Sequence, residues 1–200
     1  MHVLLSTAYF PPVVWLAHLV QSEQCSMEAC ERFQKQSYRS RMNIHGPHGL
    51  QTLSVPVDRK IKNIMEVPVS YGENWVQDHL RAIETAYANA PFFEVLFADI
   101  KALLERRYST LWELNLATMA LFLDWLEVPA EMHFTERFEL ETALDDRRGL
   151  HPKQSTRVEF PVYHQVFKHK NGFLDNLSAL DLFFNLGRSS WDYLNELVLE

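Results

Sequence analysis

The sequence predicts an α/β fold: a single Rossmann-like domain over residues 1–200, with helices packed on a small mixed sheet. Three observations favour it. The chain opens with a short apolar run, a prolyl turn and an apolar helical pattern, the order in which many α/β folds begin. Strand-like alternation comes next, and helical periodicity fills the middle. Two hundred residues, 47% of them hydrophobic, suffice for one domain with a substantial core.

The N-terminal unit is predicted from hydrophobicity and proline. Residues 3–5 (VLL) indicate a buried strand. The segment AYFPPVV indicates a turn, because proline fixes φ and disfavours helix in the residue before it. Pro12 then suits the first position of a helix that continues to Val20. A loop between strand and helix commonly faces a ligand in such folds.

A hairpin and one further strand are expected next. Residues 50–57 (LQTLSVPV) alternate apolar and polar side chains, as strands do. The HGPHG turn before them indicates pairing with Tyr38–Ile44. Residues 64–70 (IMEVPVS) predict another strand.

The helices are delimited by capping patterns and proline. A residue suited to the N-cap is followed three positions later by a potential capping-box partner in four places: Asn74 and Gln77, Thr110 and Glu113, Ser178 and Asp181, and Ser189 and Asp192. Pro91 is expected to begin one more helix. Residues 139–160 show no such pattern, and long loops in compact domains are commonly functional or disordered.

Positive charge is concentrated against the overall sign of the chain. The formal net charge is -7, yet the 26 residues from Arg32 to Val57 contain no carboxylate side chain. This stretch predicts a local anion site. In an extended segment Arg39 and Arg41 would lie on one side and could hold a phosphate or carboxylate bidentately. The alternative is a solvated surface whose cations pair with the chain's own carboxylates.

Two histidines are candidates for the chemistry. His79 flanks the apolar stripe of the predicted helix over 74–88 and suits a general base near neutral pH. The alternative is a packed, hydrogen-bonded residue. His151 lies in the 139–160 loop beside Lys153, where a second basic group indicates a ligand contact. Helix capping accounts for both Ser178 and Asp181.

No metal and no cofactor are predicted. Cys25 and Cys30 do not form a CxxC pair, and His45 and His48 lie in a turn without a third ligand. The glycine-rich phosphate loops GxxxxGK[ST] and GxGxxG are absent from the sequence, so side chains would have to hold any phosphate. The apolar start lacks a basic region, and no apolar run is long enough for a membrane span, which predicts a cytoplasmic protein.

Several blocks resemble the WbqC-like protein family, in its compact form of Bacteroidetes type. In family order they are AYFPPVVWLAHLVQ, ERFQKQSYRSRMNI, LQTLSVPV, NWVQDHLRAIETAYANAPFF, HPKQSTRVEFPVYHQVF and GFLDNLSALDLFFNLG. The chain departs from the family pattern at Thr7-Ala8, which stand in place of Gln-Pro, and at Ser40, where Asn is common.

The resemblance implies a role in bacterial surface-polysaccharide (O-antigen, cell-envelope) biosynthesis. Some family members resemble transferases that place an aminoacyl group such as glycyl on an amino sugar. In the transferase hypothesis for this chain, His79 or Glu31 acts as the base. The implied substrate-binding residues are Tyr9, Phe10, Lys35, Arg39, Arg41, Trp75, His151, Lys153 and Gln165.

Two functions therefore stay open. The first is a transferase acting on a small anionic substrate, either a nucleotide sugar or a sugar phosphate. The second is a non-catalytic binding or scaffold protein, or a homodimer, with an aromatic surface that includes Phe92, Phe93, Phe97, Phe183, Phe184 and Trp191. Convergence of the basic residues on one concave pocket would favour the first. Nucleic-acid binding is disfavoured by the acidic pI near 5.7.

Overall fold

The computed structural model describes residues 2–129, 132–154 and 156–199. The α/β prediction is confirmed. The strands are β1 (His2–Leu5), β2 (Gln24–Met27), β3 (Arg41–Gly46), β4 (Gly49–Ser54), β5 (His133–Phe134) and β6 (Asp145–Asp146). The helices are α1 (Val13–Val20), α2 (Trp75–Tyr87), α3 (Phe93–Glu105), α4 (Leu111–Leu126), α5 (Lys168–Asn171), α6 (Ala179–Leu186) and α7 (Ser190–Glu196).

The main sheet has four parallel strands in the order β5-β2-β1-β6. The separate β3–β4 hairpin is antiparallel, and in it Arg41 lies opposite Ser54. Isolated antiparallel bridges, such as Pro12 with Ser178, join other segments. The order of the main sheet reverses at β1, because β2 and β5 lie on one side of it and β6 on the other. In open parallel sheets, ligands bind outside the carboxyl ends of the strands at such a reversal.

The N-terminal unit folds as predicted. β1 is followed by the prolyl turn, and Pro12 stands at the N-cap of α1. The hairpin also forms, although β3 begins only at Arg41. The strand predicted over 64–70 is wrong: Ile64–Glu66 form a 3₁₀ turn, in which the Asn63 side chain accepts a hydrogen bond from the Met65 N–H.

Aromatic side chains between α4, α6 and the prolyl turn form one part of the core. Phe122 contacts Phe10 on one side and Phe183 on the other, with ring centroids 5.8 and 5.0 Å apart. Tyr87 and Phe184 extend the cluster toward α2, at 4.9 Å. The predicted capping box of α4 is confirmed, since Thr110 accepts from the Glu113 N–H and Glu113 accepts from the Thr110 N–H. Within the described residues, no helix is long and apolar enough to cross a membrane.

Asp181 does not close the capping box predicted for α6. Ser178 caps the helix through the Leu180 N–H, but the Ser178 N–H donates to Asn43 O instead of to Asp181. The Asp181 carboxyl group is fully buried, and neither oxygen accepts a hydrogen bond from a described residue. Burial raises its pKa well above the usual range, an effect that the nearby Gln165 side chain partly offsets.

Asp181→Asn is expected to increase the free energy of unfolding by about 1–3 kcal/mol at pH 8, because it removes a buried ionisable group without a partner. The raised pKa means that the folded protein holds a proton the unfolded chain releases. The advantage of the variant is therefore greatest at high pH, and it disappears as pH falls to the ordinary carboxyl range. Urea denaturation at pH 8 and pH 4 measures it. Exposed Asp124→Asn is the control, with an expected change within about 0.5 kcal/mol.

Candidate functional site

Arg39 and Glu31 form a buried ion pair at the carboxyl end of the parallel sheet. Arg39 Nε donates to Glu31 Oε1 at 2.7 Å, and Nη2 donates to Glu31 Oε2 and, at 2.5 Å, to Ser6 Oγ. Arg39 is 2% exposed and Glu31 is 4% exposed. Both carboxylate oxygens are therefore occupied, and the Arg39 charge is balanced inside the protein. The expectation that Arg39 and Arg41 share one strand face is wrong, because β3 begins at Arg41.

Arg148 forms a second ionic centre at the same edge. Its Nη1 donates to Glu28 Oε2 at 2.8 Å, and its Nε and Nη2 bind the two Asp146 oxygens at 2.9 and 2.6 Å. The guanidinium group holds the pKa of Asp146 below its usual range. The Arg148 carbonyl oxygen also lies 3.4 Å from Arg39 Nη2, which links the two centres. Together they connect the ends of β1, β2 and β6.

His79 lies in a buried aromatic group with three of the predicted residues. Its Nδ1 is 3.0 Å from Tyr9 Oη, and its ring is 5.0 Å from that of Trp75 in an edge contact. Phe10 packs against the other side of Tyr9, at 5.0 Å. Burial lowers the pKa of His79 to about 4, partly offset by a hydrogen bond with the Ser54 backbone. This placement matches the alternative interpretation, a packed and neutral histidine.

Gln165 lies apart from that group and is 1% exposed. Its Oε1 is 3.2 Å from His45 Nδ1 and accepts from the Leu174 N–H at 3.0 Å, while Nε2 donates to Leu174 O at 2.8 Å. Its hydrogen bonds fasten residues 165–174 to the β3–β4 hairpin.

A cavity of about 290 Å³, here called the basic cavity, lies between α1 and the loop that follows β6. It is at the edge of the sheet where ligands are expected, beside the reversal at β1. Side chains from three parts of the chain line it, among them Val14 and His18 of α1, Tyr38, and Arg147, His151 and Arg157 of the loop.

The wall of the basic cavity has two arginines, Arg147 and Arg157, and one carboxylate, Asp146, which pairs with Arg148. Arg157 is exposed and pairs with no carboxylate among the residues that the structure describes. Arg147 Nε lies 2.7 Å from Asp145 Oδ1. The pKa of His151 is lowered by partial burial and by the positive charges of Lys153, Arg39 and Arg41.

The predicted basic residues therefore converge only in part. His151 lines the cavity, and Lys153 and Arg41 are close to it. Lys153 is held by its Nζ, which donates to Gln36 Oε1 at 2.7 Å. Lys35 is exposed, and no contact between described residues joins it to the cavity.

A second cavity, of about 240 Å³, adjoins the first. The two share Tyr38, Gln154, Thr156 and Asn176 in their walls. Asn43 and Asp175 line the second one. The α1 N-terminus between them is already bonded, because Val13 N–H donates to Leu177 O and Val14 N–H to Asn176 Oδ1. An anion in the basic cavity would therefore rest on side chains, as the lack of glycine-rich loops predicts.

His18 and Asp145 were not singled out from the sequence. His18 occurs in the apolar run VVWLAHLV, where a histidine resembles a core residue. Asp145 occurs in a polar stretch whose pairing as β6 depends on Val3 and Leu4, far away in the chain. The repeated charges of DDRR were the only local signal.

The aromatic surface expected of a scaffold protein is largely internal. Phe93, Phe183 and Phe184 belong to the core, so the expectation is wrong for these three. Phe92 and Trp191 are each 38% exposed. A homodimer through this region stays a prediction.

Comparison with known proteins gives one family and one distant relative. The model of the WbqC-like protein family matches residues 7–150. A protein of Mycobacterium tuberculosis described as "Uncharacterized protein Rv1507c" is 26% identical over 195 residues, a match that covers 82% of this chain and 84% of that protein. No solved structure matches the chain.

Proposed function

The chain belongs to the WbqC-like protein family, and from this premise we propose that it is a transferase of bacterial cell-surface polysaccharide biosynthesis. Its substrate is a small phosphorylated or nucleotide-activated compound that binds in the basic cavity. The observation that supports this most directly is the position of Arg147, His151 and Arg157 around a cavity at the reversal of the strand order.

The size and composition of the two cavities suit such a substrate. Their volumes of about 290 and 240 Å³ together fall within the roughly 300–1,000 Å³ typical of small-molecule sites. The arginines of the basic cavity suit a phosphate group, which guanidinium groups hold bidentately. Asn43 and Asp175 in the adjoining cavity offer an amide and a carboxylate to a hydroxyl-rich or amine-bearing group.

The transferred group in this proposal is an aminoacyl group such as glycyl, which is the group that the family resemblance suggests. The acceptor amine or hydroxyl would lie in the adjoining cavity, and the anionic part of the activated substrate in the basic cavity. Both parts would then be held beside Tyr38, which lines both cavities.

A thermal-shift screen with nucleotide sugars, nucleotides, sugar phosphates and aminoacyl donors tests the proposal. We expect a ligand-specific rise in melting temperature. Arg157→Glu should raise the dissociation constant of that ligand about tenfold or more, since a charge-assisted contact is lost and a repulsive charge replaces it. Arg157 is exposed, so folding should be unaffected.

The matched control is Arg59→Glu, which reverses an exposed arginine outside both cavities. Its ligand affinity should stay at the wild-type value. Equal losses in the two variants would indicate a long-range charge effect instead of a site. If no compound stabilises the protein, the transferase proposal fails and the non-catalytic alternative gains support.

A further inference from the structure

His18 differs from the other buried histidines of the described chain. His45 and His79 each place a ring nitrogen within hydrogen-bonding distance of a side chain, at 3.2 and 3.0 Å. His18 is only 2% exposed, yet its Nδ1 has no hydrogen-bond partner among the described residues. Buried polar atoms without partners are rare in native proteins, because each costs about 1–3 kcal/mol.

The unpartnered histidine lies in the wall of the basic cavity. His18 and Val14 are four residues apart on α1, on the helix face that borders the cavity. His18 Nδ1 is 4.0 Å from Asp145 Oδ2, which also lacks a hydrogen-bond partner among the described residues. A movement of about 1 Å would convert this approach into a hydrogen bond.

Arg147 connects this pair to the cavity. Its Nε lies 2.7 Å from the other Asp145 oxygen, and its side chain is 30% exposed. The charged groups that face His18 are thus Asp145 and Arg147, and across the cavity Asp146, His151 and Arg157. His18, Asp145 and Arg147 therefore form a series that runs from the buried wall to the space where a ligand would lie.

We propose that His18 is the general base of the basic cavity and that Asp145 orients its ring, an inference that rests on the proposed function. The donor is an aminoacyl group whose carbonyl carbon is bonded to a phosphate oxygen. The acceptor O–H or N–H gives its proton to His18, and the acceptor oxygen or nitrogen forms a bond to that carbonyl carbon. The bond from that carbon to the phosphate oxygen breaks, and the phosphate leaves with the electron pair. Asp145 stabilises the imidazolium that forms.

Arg147 couples the base to the ligand. Burial and the Arg147 charge lower the pKa of His18 to about 4, and Asp145 opposes them. An anion bound to Arg147 would neutralise that charge and weaken its contact with Asp145. The carboxylate is then available to His18, whose affinity for protons rises. The base is therefore weak until an anionic substrate arrives.

The test follows the His18 imidazole resonance by NMR through a pH titration, with and without inorganic pyrophosphate as the probe. We expect saturating pyrophosphate to increase the proton affinity of His18 about tenfold or more. Asp145→Asn should reduce this increase while pyrophosphate still stabilises the protein thermally. His48, exposed in the hairpin turn, is the internal control. Assignment through backbone resonances requires no variant at His18.

The two proposals fail in different ways. If pyrophosphate raises the melting temperature but the His18 titration does not move, His18 is not the base, and the anion site survives. If pyrophosphate increases the proton affinity of His18 equally in the Asp145→Asn variant, Asp145 does not orient the His18 ring. If pyrophosphate neither stabilises the protein nor moves His18, the anion site is absent and both proposals are overturned.

Discussion

Glu31→Ala is expected to lower the free energy of unfolding by about 3–5 kcal/mol, because it leaves the Arg39 guanidinium group charged and buried without its partner. Arg39 is 2% exposed, and the bidentate contact with Glu31 provides its countercharge. The remaining acceptors near Arg39 are the neutral oxygens of Ser6 and Arg148. Urea denaturation followed by circular dichroism measures the loss.

Two further variants serve as controls for the Glu31→Ala measurement. Glu84→Ala removes an exposed carboxylate on α2 and should change the free energy by no more than about 0.5 kcal/mol. The double variant Glu31→Leu with Arg39→Met removes both charges and should recover most of the loss, since buried ion pairs add little over apolar packing. A cost below about 1 kcal/mol for Glu31→Ala would show that the pair is hydrated like a surface ion pair.

This pair also changes which arginine should be mutated to test function. The sequence indicates that reversing the charges of Arg39 and Arg41 would abolish ligand binding without unfolding the protein. Burial of Arg39 against Glu31 makes unfolding the expected result instead. Arg157, exposed and facing the cavity, provides a test of binding that leaves the core intact.

The parts of the fold that the sequence predicts are those with strong local signals. Thr110 and Glu113 cap α4 reciprocally, and Pro12 fixes the start of α1. β5 and β6 have only two residues each, and they exist because β1 and β2 offer hydrogen-bonding partners more than a hundred residues away. Such strands have no recognisable pattern of their own, since their stability comes from the sheet they join.

The site was predictable in composition but not in detail. Of the predicted basic residues, His151 lines the cavity near the carboxyl end of the sheet and Lys153 and Arg41 act on it electrostatically, whereas Arg39 is buried against Glu31 and Lys35 lies apart. Spacing could not show that Arg39 pairs with Glu31, because the partners of a buried charge depend on tertiary packing. His18 was missed for the same reason, since its apolar neighbours give no sign that Asp145 approaches it.

Arg147 and Arg148, which are adjacent in the loop after β6, have different contacts. Arg148 turns toward the sheet and binds Glu28 and Asp146, while Arg147 pairs with Asp145 and lines the cavity. Arg148 fixes the position of the backbone, and Arg147 faces the cavity. A binding site is more precise when a neighbouring ionic network holds its supporting backbone in place.

Acidification is expected to destabilise the protein steeply between about pH 6.5 and pH 4. His18 and His79 each have a pKa near 4 when folded, lowered mainly by burial, against 6.5 when unfolded. At these two sites the unfolded chain takes up more protons in this range, and the contribution of the two histidines to the free energy of unfolding rises with pH until it levels off near neutrality. Each histidine contributes up to about 1.4 kcal/mol per pH unit.

Urea denaturation at pH 7, 6 and 5 measures this dependence, and single histidine variants separate its sources. His79→Gln should reduce the slope of the free energy of unfolding against pH by the contribution of about one proton, which is roughly half of the total from the two histidines. His48→Gln, in the exposed hairpin turn, should leave the slope unchanged. Asp181 acts in the opposite sense, since its raised pKa favours the folded state at low pH. In the Asp181→Asn variant, which lacks this opposing contribution, a free energy of unfolding that stays constant from pH 7 to pH 5 would mean that water reaches both histidines and that neither is held neutral by burial.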